Sequence, residues 1–291
     1  MLARIAEGEC VMKKRGFTII ELLTIMSIII IIIGMLVPAL NRVKRYARRV
    51  TQKNQFHAID IGLNLFNAEW ESYPPSDGDP PLPPPPLYAY YCGANKLAEA
   101  MVGQDLQGFH PSSRFVWPSV WPVNYCYTDT DLSARRDYLT LENANACSME
   151  NVYSDCVPFD PNSLVLCDMF LTIEHRRTGR FIGMPILYYK ANVAGTQHPT
   201  PDNSVPFDGP GSQANIYKHK DNDILVGRGM PAQPDVAHPL FKNPMLFYEN
   251  TWDTQVSNSY GRPYRRDSYI LLSAGFDGFY GTADDVFNFG Y

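Results

Sequence analysis

Nineteen consecutive residues, 22–40 (LLTIMSIIIIIIGMLVPAL), carry no charged side chain, and Ile19 and Ile20 extend the apolar run past Glu21. As a helix, that length crosses the hydrocarbon core of a bilayer. A buried core helix of the same length would show a polar face, and this one shows none. A removable secretory signal wants small residues in an A-x-A pattern after its apolar stretch. Here the stretch ends Val37-Pro38-Ala39-Leu40-Asn41, which lacks that pattern. The sequence therefore reads as a retained membrane helix.

Charge divides the chain around this helix. Residues 1–16 carry a net charge of +2 and residues 17–55 of +5, against −5 for the whole chain, which leaves −12 on residues 56–291. A basic N-terminal end thus precedes an acidic body. A nucleic-acid binder is expected to be basic where it docks, so no nucleic acid is expected as a partner. The basic run Arg42, Lys44, Arg45, Arg48, Arg49 and Lys53 reads as a solvated helix face near anionic headgroups. Tyr46 is the one aromatic residue within it, where a stacking platform interleaves several.

Glu21 sits at the start of the membrane helix. An ionisable residue there is costly and is a functional candidate by default, although water at the interface could also accommodate it. The residues before it, Lys13-Lys14-Arg15-Gly16-Phe17-Thr18-Ile19-Ile20-Glu21-Leu22-Leu23, resemble the type IV prepilin signature. The resemblance covers about 55 residues, from the basic leader to Trp70. It implies that a prepilin peptidase cuts between Gly16 and Phe17 on the cytoplasmic side, that the new N-terminus is methylated, and that the apolar helix is retained. Glu21 then becomes the fifth mature residue and Pro38 the twenty-second, two positions where many family members carry the same residue types. A buried carboxylate persists when paired, and a neighbouring subunit's N-terminal amine is the partner the resemblance implies for Glu21. Residues 1–11 precede Met12 and read as an alternative start upstream of a short leader.

Beyond the membrane, apolar residues recur at Val43, Ala47 and Val50, and then at Phe56, Ile59, Leu63, Phe66 and Trp70. That is helical period with one irregular joint. The expected layout is a leader over 1–16, a long helix over 17–71 with its membrane part at 17–40, a Pro-rich connector over 72–94, and a globular head over 95–291. Residues 95–102 read as a short amphipathic helix. The turn-bounded apolar runs at 164–173, 182–189, 222–226 and 268–274 read as strands. The fold class expected is α+β: a pilin-like long helix packed on a mostly antiparallel sheet.

Five cysteines follow the leader: Cys92, Cys126, Cys147, Cys156 and Cys167. A head outside the inner membrane permits disulfides, but spacing alone leaves the pairing open. No C-x-x-C pair, H-E-x-x-H, G-x-S-x-G or P-loop is present, so the sequence offers no catalytic motif and reads as a non-enzyme.

Near the C-terminus, residues 273–286 place Asp277, Asp284 and Asp285 among Gly275, Gly278 and Gly281. An Asp/Gly-rich turn of this kind is ordinarily solvated. The segment also resembles the C-terminal loop of the major pseudopilin of type II secretion. That resemblance implies a calcium site with Asp277 and Asp285 as side-chain ligands, Asp284 as a third, and carbonyls near Leu272 and Ala274 completing the shell. The reading as a whole is a pseudopilin anchored in the inner membrane by a single pass. Its N-terminus is cytoplasmic and its head periplasmic or extracellular. Its partners are other pilin-like subunits, the prepilin peptidase, an inner-membrane assembly platform and lipid. Two alternatives share the N-terminal features: a pilus or DNA-uptake pilin, and a membrane-tethered binding protein or enzyme with a prepilin leader.

Overall fold

The computed structural model describes residues 18–78, 88–118, 132–201, 205–209, 212–231, 233–253, 255 and 262–290. They fall into two compact units divided between Tyr46 and Ala47. One unbroken helix, Ile19–Trp70, contains the dividing point and carries Pro38 in its interior.

In the first unit the apolar side chains face outward. Ile19 is 81% exposed and Met35 73% exposed, and the most apolar eighteen-residue window of the helix buries nothing. This helix is long and apolar enough to span a membrane. The two hydroxyls of its apolar stretch are satisfied within the helix: Thr24 donates to the Glu21 carbonyl at 3.0 Å and Ser27 to the Thr24 carbonyl at 2.8 Å. Such back-bonding leaves no hydroxyl unpaired in an apolar solvent.

In the second unit the same helix buries Phe56, Ile59, Leu63 and Phe66, spaced 3, 4 and 3 residues apart as the sequence predicts. Burying each such side chain contributes about 1.5–3 kcal/mol. Gly62 lies on this face because a β-carbon there would stand 2.7 Å from the Tyr138 carbonyl and 2.8 Å from the Met101 sulfur. Polar residues fix the helix as well. Gln52 Oε1 accepts from the Met169 amide at 2.7 Å, and Gln55 Nε2 donates to the Cys167 carbonyl at 2.9 Å.

Strand Tyr269–Ser273 lies at the centre of a three-stranded antiparallel sheet, between Leu187–Lys190 and Val286–Phe287. Ile270 pairs with Tyr189 and Leu272 with both Leu187 and Phe287. All five of its residues are buried. Tyr269 and Leu271 join the cluster that holds the helix face and the Gly93–Val102 helix, while Ile270 and Leu272 join a second cluster with Tyr153, Phe247 and Tyr280. A strand covered on both sides explains why its sequence is an apolar run and does not alternate.

The secondary structure is therefore α+β, with small antiparallel sheets beside a long helix. The head is built from one three-stranded and four two-stranded sheets among the described residues, not from one broad sheet. The run expected as one strand over 164–173 is two short strands, Leu164–Leu166 and Ile173–Glu174, and 182–189 likewise divides into Phe181–Ile182 and Leu187–Lys190. Residues 222–226 are not a strand. A 3-10 turn at His219–Asn222 leads into the helical turn Asp223–Val226, closed by the Gly227 amide on the Asp223 carbonyl at 2.7 Å. The Ile-Leu-Val triplet suits either state, and the flanking Asp, Asn and Gly decide for a turn of helix. The Gly93–Val102 helix is present and begins within the expected connector, of which residues 79–87 lie outside the described residues.

Candidate functional sites: the helix start and the acidic loop

The long helix begins with a reciprocal pair. The Thr18 amide and hydroxyl both donate to Glu21 Oε2 at 2.9 Å, and the Glu21 amide donates to the Thr18 hydroxyl at 3.2 Å. This is a capping box, in which the first helical residues satisfy each other's orphan donors. The T-x-x-E spacing at 18–21 announces it in the sequence. Glu21 is thus held at the helix start by its own chain, exposed to whatever surrounds it. Gly16 and Phe17, the residues expected to flank the processing cut, lie outside the described residues.

The acidic loop follows strand Tyr269–Ser273 and returns to the same sheet through Val286–Phe287. Gly275 adopts φ 69°, and a β-carbon there would collide with the Asp284 carbonyl. The loop can close only because this position has no side chain. Closure brings Asp277 and Asp284 together. Asp284 Oδ2 accepts from the amides of Phe276 at 2.7 Å and Asp277 at 3.0 Å, and its Oδ1 accepts from the Thr282 hydroxyl at 2.7 Å. Asp277 Oδ1 accepts from the Phe279 amide at 2.8 Å.

These bonds divide the two carboxylates electrostatically. Burial works against ionisation of Asp284, but the Thr282 hydroxyl and the two amides outweigh it and hold its pKa low. Burial pushes Asp277 up, with the neighbouring Asp284 charge adding to it. Asp285 is set apart from them. Its Oδ2 accepts from the Gly281 amide at 2.8 Å, its Oδ1 is buried without a hydrogen-bond partner, and burial raises its carboxyl to about 8. Among the described residues, no group of three or more His, Cys, Asp or Glu side chains is placed to hold a metal ion.

The loop is also tied to the long helix. The Arg48 guanidinium stands 5.6 Å from the Phe276 ring centroid and donates to the Phe170 carbonyl at 2.9 Å. One member of the basic run thus packs on the head, whereas Arg42, Lys44, Arg45 and Arg49 are exposed.

No family model matches this chain, and no curated protein or solved structure matches it either.

Proposed function

We propose that this chain is a structural subunit of a pilin-like filament, of the type II secretion pseudopilin kind, and not an enzyme. The Lys13–Leu23 pattern, running into a helix whose apolar residues over 19–40 are all exposed, carries the reading. In that role the peptidase cuts between Gly16 and Phe17, the apolar helix rests in the inner membrane, and the helices of neighbouring subunits later cover it. Glu21 then meets a neighbour's N-terminal amine, and the acidic head lies outside the inner membrane. Chemical cross-linking in intact membranes tests the assembly. A ladder of processed oligomers is expected, and processed protein that yields monomers alone would overturn the reading.

The same reading assigns calcium to the acidic loop. Carboxylates are the chemistry a hard divalent ion takes, and Asp277 and Asp284 meet in this loop, but the three carboxylates do not converge on one point. Asp277, Asp284 and Asp285 would hold it, with carbonyls near Leu272 and Ala274. Engagement by all three requires the loop to rearrange. The ion would supply positive charge to a loop that otherwise gathers three carboxyl groups.

A further inference from the structure

Four of the cysteines are described, and all are buried and free. Two of them have local partners. Cys92 Sγ lies 3.2 Å from Asn95 Oδ1, and Cys156 Sγ lies 3.6 Å from the Tyr153 carbonyl. The other two have each other. In the hairpin formed by Ala146–Ser148 and Leu164–Leu166, Cys147 stands opposite Val165, and the Cys167 amide donates to the Asn145 carbonyl at 3.0 Å. Cys147 and Cys167 are therefore diagonal neighbours, two residues out of direct register. They also share a face: Cys147, Val165 and Cys167 all point into one core cluster, while Leu164 and Leu166 point into the other. Diagonal neighbours on one face of a ladder lie roughly 7–8 Å apart, a little beyond what a disulfide spans, and each thiol is the leading influence on the other's titration, lowering that of Cys147 and raising that of Cys167. The regular ladder ends at Leu166, so the backbone at Cys167 can close the remaining distance.

From this placement we propose that Cys147 and Cys167 form an intrachain disulfide in the mature protein. The proposal rests on the reading that places the head outside the cytoplasm, where disulfides persist. Both thiols are buried in the fold, so oxidation takes place while the head is still folding. With Cys147 as the first nucleophile, the thiolate attacks the disulfide of a dithiol oxidase and displaces one of its sulfurs as a thiolate. The Cys167 thiolate then attacks Cys147 Sγ and releases the second. One S–S bond forms, two protons are lost, and two electrons reduce the oxidase disulfide to a dithiol. The bond would lock the strand end whose carbonyl at Cys167 receives Gln55 of the long helix.

The test uses the full chain, unfolded with reductant and refolded into detergent with a mixture of oxidised and reduced glutathione. Free thiols are alkylated before peptide mass mapping. The expected product is a peptide pair joining Cys147 to Cys167, with Cys92 and Cys156 alkylated. Reduction should lower the Tm by roughly 5–10 °C, as for a loop of this size. C147S and C167S should each remove the linked pair and the sensitivity of Tm to reductant. Alkylation of both thiols in the refolded parent, or a link from either to another cysteine, would overturn the pairing. Rapid acid quenching and alkylation of cells then tests the compartment separately. A pair that closes on refolding but is found reduced in cells would contradict the extracytoplasmic head, not the thiol geometry.

Discussion

Thr18 and Glu21 close a capping box at the start of the long helix, with Glu21 Oε2 taking both the amide and the hydroxyl of Thr18 at 2.9 Å. The carboxylate proposed to bind a neighbour's amine therefore also stabilises its own helix end. The two roles separate experimentally, because glutamine preserves the capping box but carries no charge. Glu21→Gln should insert in the membrane, keep the helix start and fail to assemble. Glu21→Ala should insert and fail in the same way. Cross-linked oligomers of Glu21→Gln at parental yield would show that Glu21 serves the helix end and not the subunit contact.

Asp60 ties the long helix to the end of the chain. Its carboxylate accepts from Tyr269 Oη at 2.6 Å, Asn288 Nδ2 at 3.2 Å and Arg265 at 3.3 Å. Removing it strands three donors in a half-buried site, at a cost of about 2–3 kcal/mol. Asp60→Ala should lower the Tm of the detergent-solubilised chain by several degrees, and Asp60→Asn by less. A Tm within a degree of the parent for Asp60→Ala would mean the network does not hold the helix to the head.

Stability should change little with pH below about 6.5 and decline above it. Burial pushes Asp168 and Asp221 up to about 7, against about 3.9 in an unfolded chain. The fold then holds more protons than the unfolded chain between those values, and stability falls as pH rises through them. His219 and His238 act oppositely. Burial lowers both to about 4, against about 6.5 unfolded, so stability falls as pH drops through that window. The two effects oppose each other below about pH 6.5, and above it the carboxyls act alone. Tm should therefore decline from pH 6.5 to 8, and Asp168→Asn should flatten that decline. A Tm that climbs steadily over the same range would contradict the assignment.

Calcium should stabilise the head if the acidic loop binds it. At a hundredfold excess over the dissociation constant the gain is about 2.7 kcal/mol. Tm should rise with millimolar calcium, fall with chelator and respond weakly to magnesium. Asp284→Ala is a sharper test than Asp277→Ala, because Asp284 also anchors the amides of Phe276 and Asp277. It should lower the Tm in chelator and abolish the calcium response. Melting indifferent to both calcium and chelator would leave the loop as a turn closed by its own carboxylates.

Local periodicity made part of this fold legible. The spacing of Phe56, Ile59, Leu63 and Phe66 gives the buried face of the helix, and the apolar run at 268–274 gives a strand covered on both sides. The sheet arrangement was less legible, because strands of two or three residues leave little pattern to read. At 222–226 an apolar triplet fitted two states, and the tertiary setting chose the helical turn. The Asp60 network has partners 205 to 228 residues away, a separation no local pattern encodes. In the acidic loop the glycine and aspartate positions could be read in advance. The diversion of Asp285 to the Gly281 amide could not, because it depends on how the loop closes.

The central claim is that a prepilin peptidase processes this chain, and the mature N-terminus measures it directly. Protein extracted from membranes is analysed by intact mass and N-terminal sequencing. The account predicts a chain beginning at Phe17, its mass raised by one methyl group, and a Gly16→Ala variant that stays largely unprocessed. A chain that keeps residues 1–16, or one cleaved after residue 39 or beyond so that the apolar helix is lost, would contradict it.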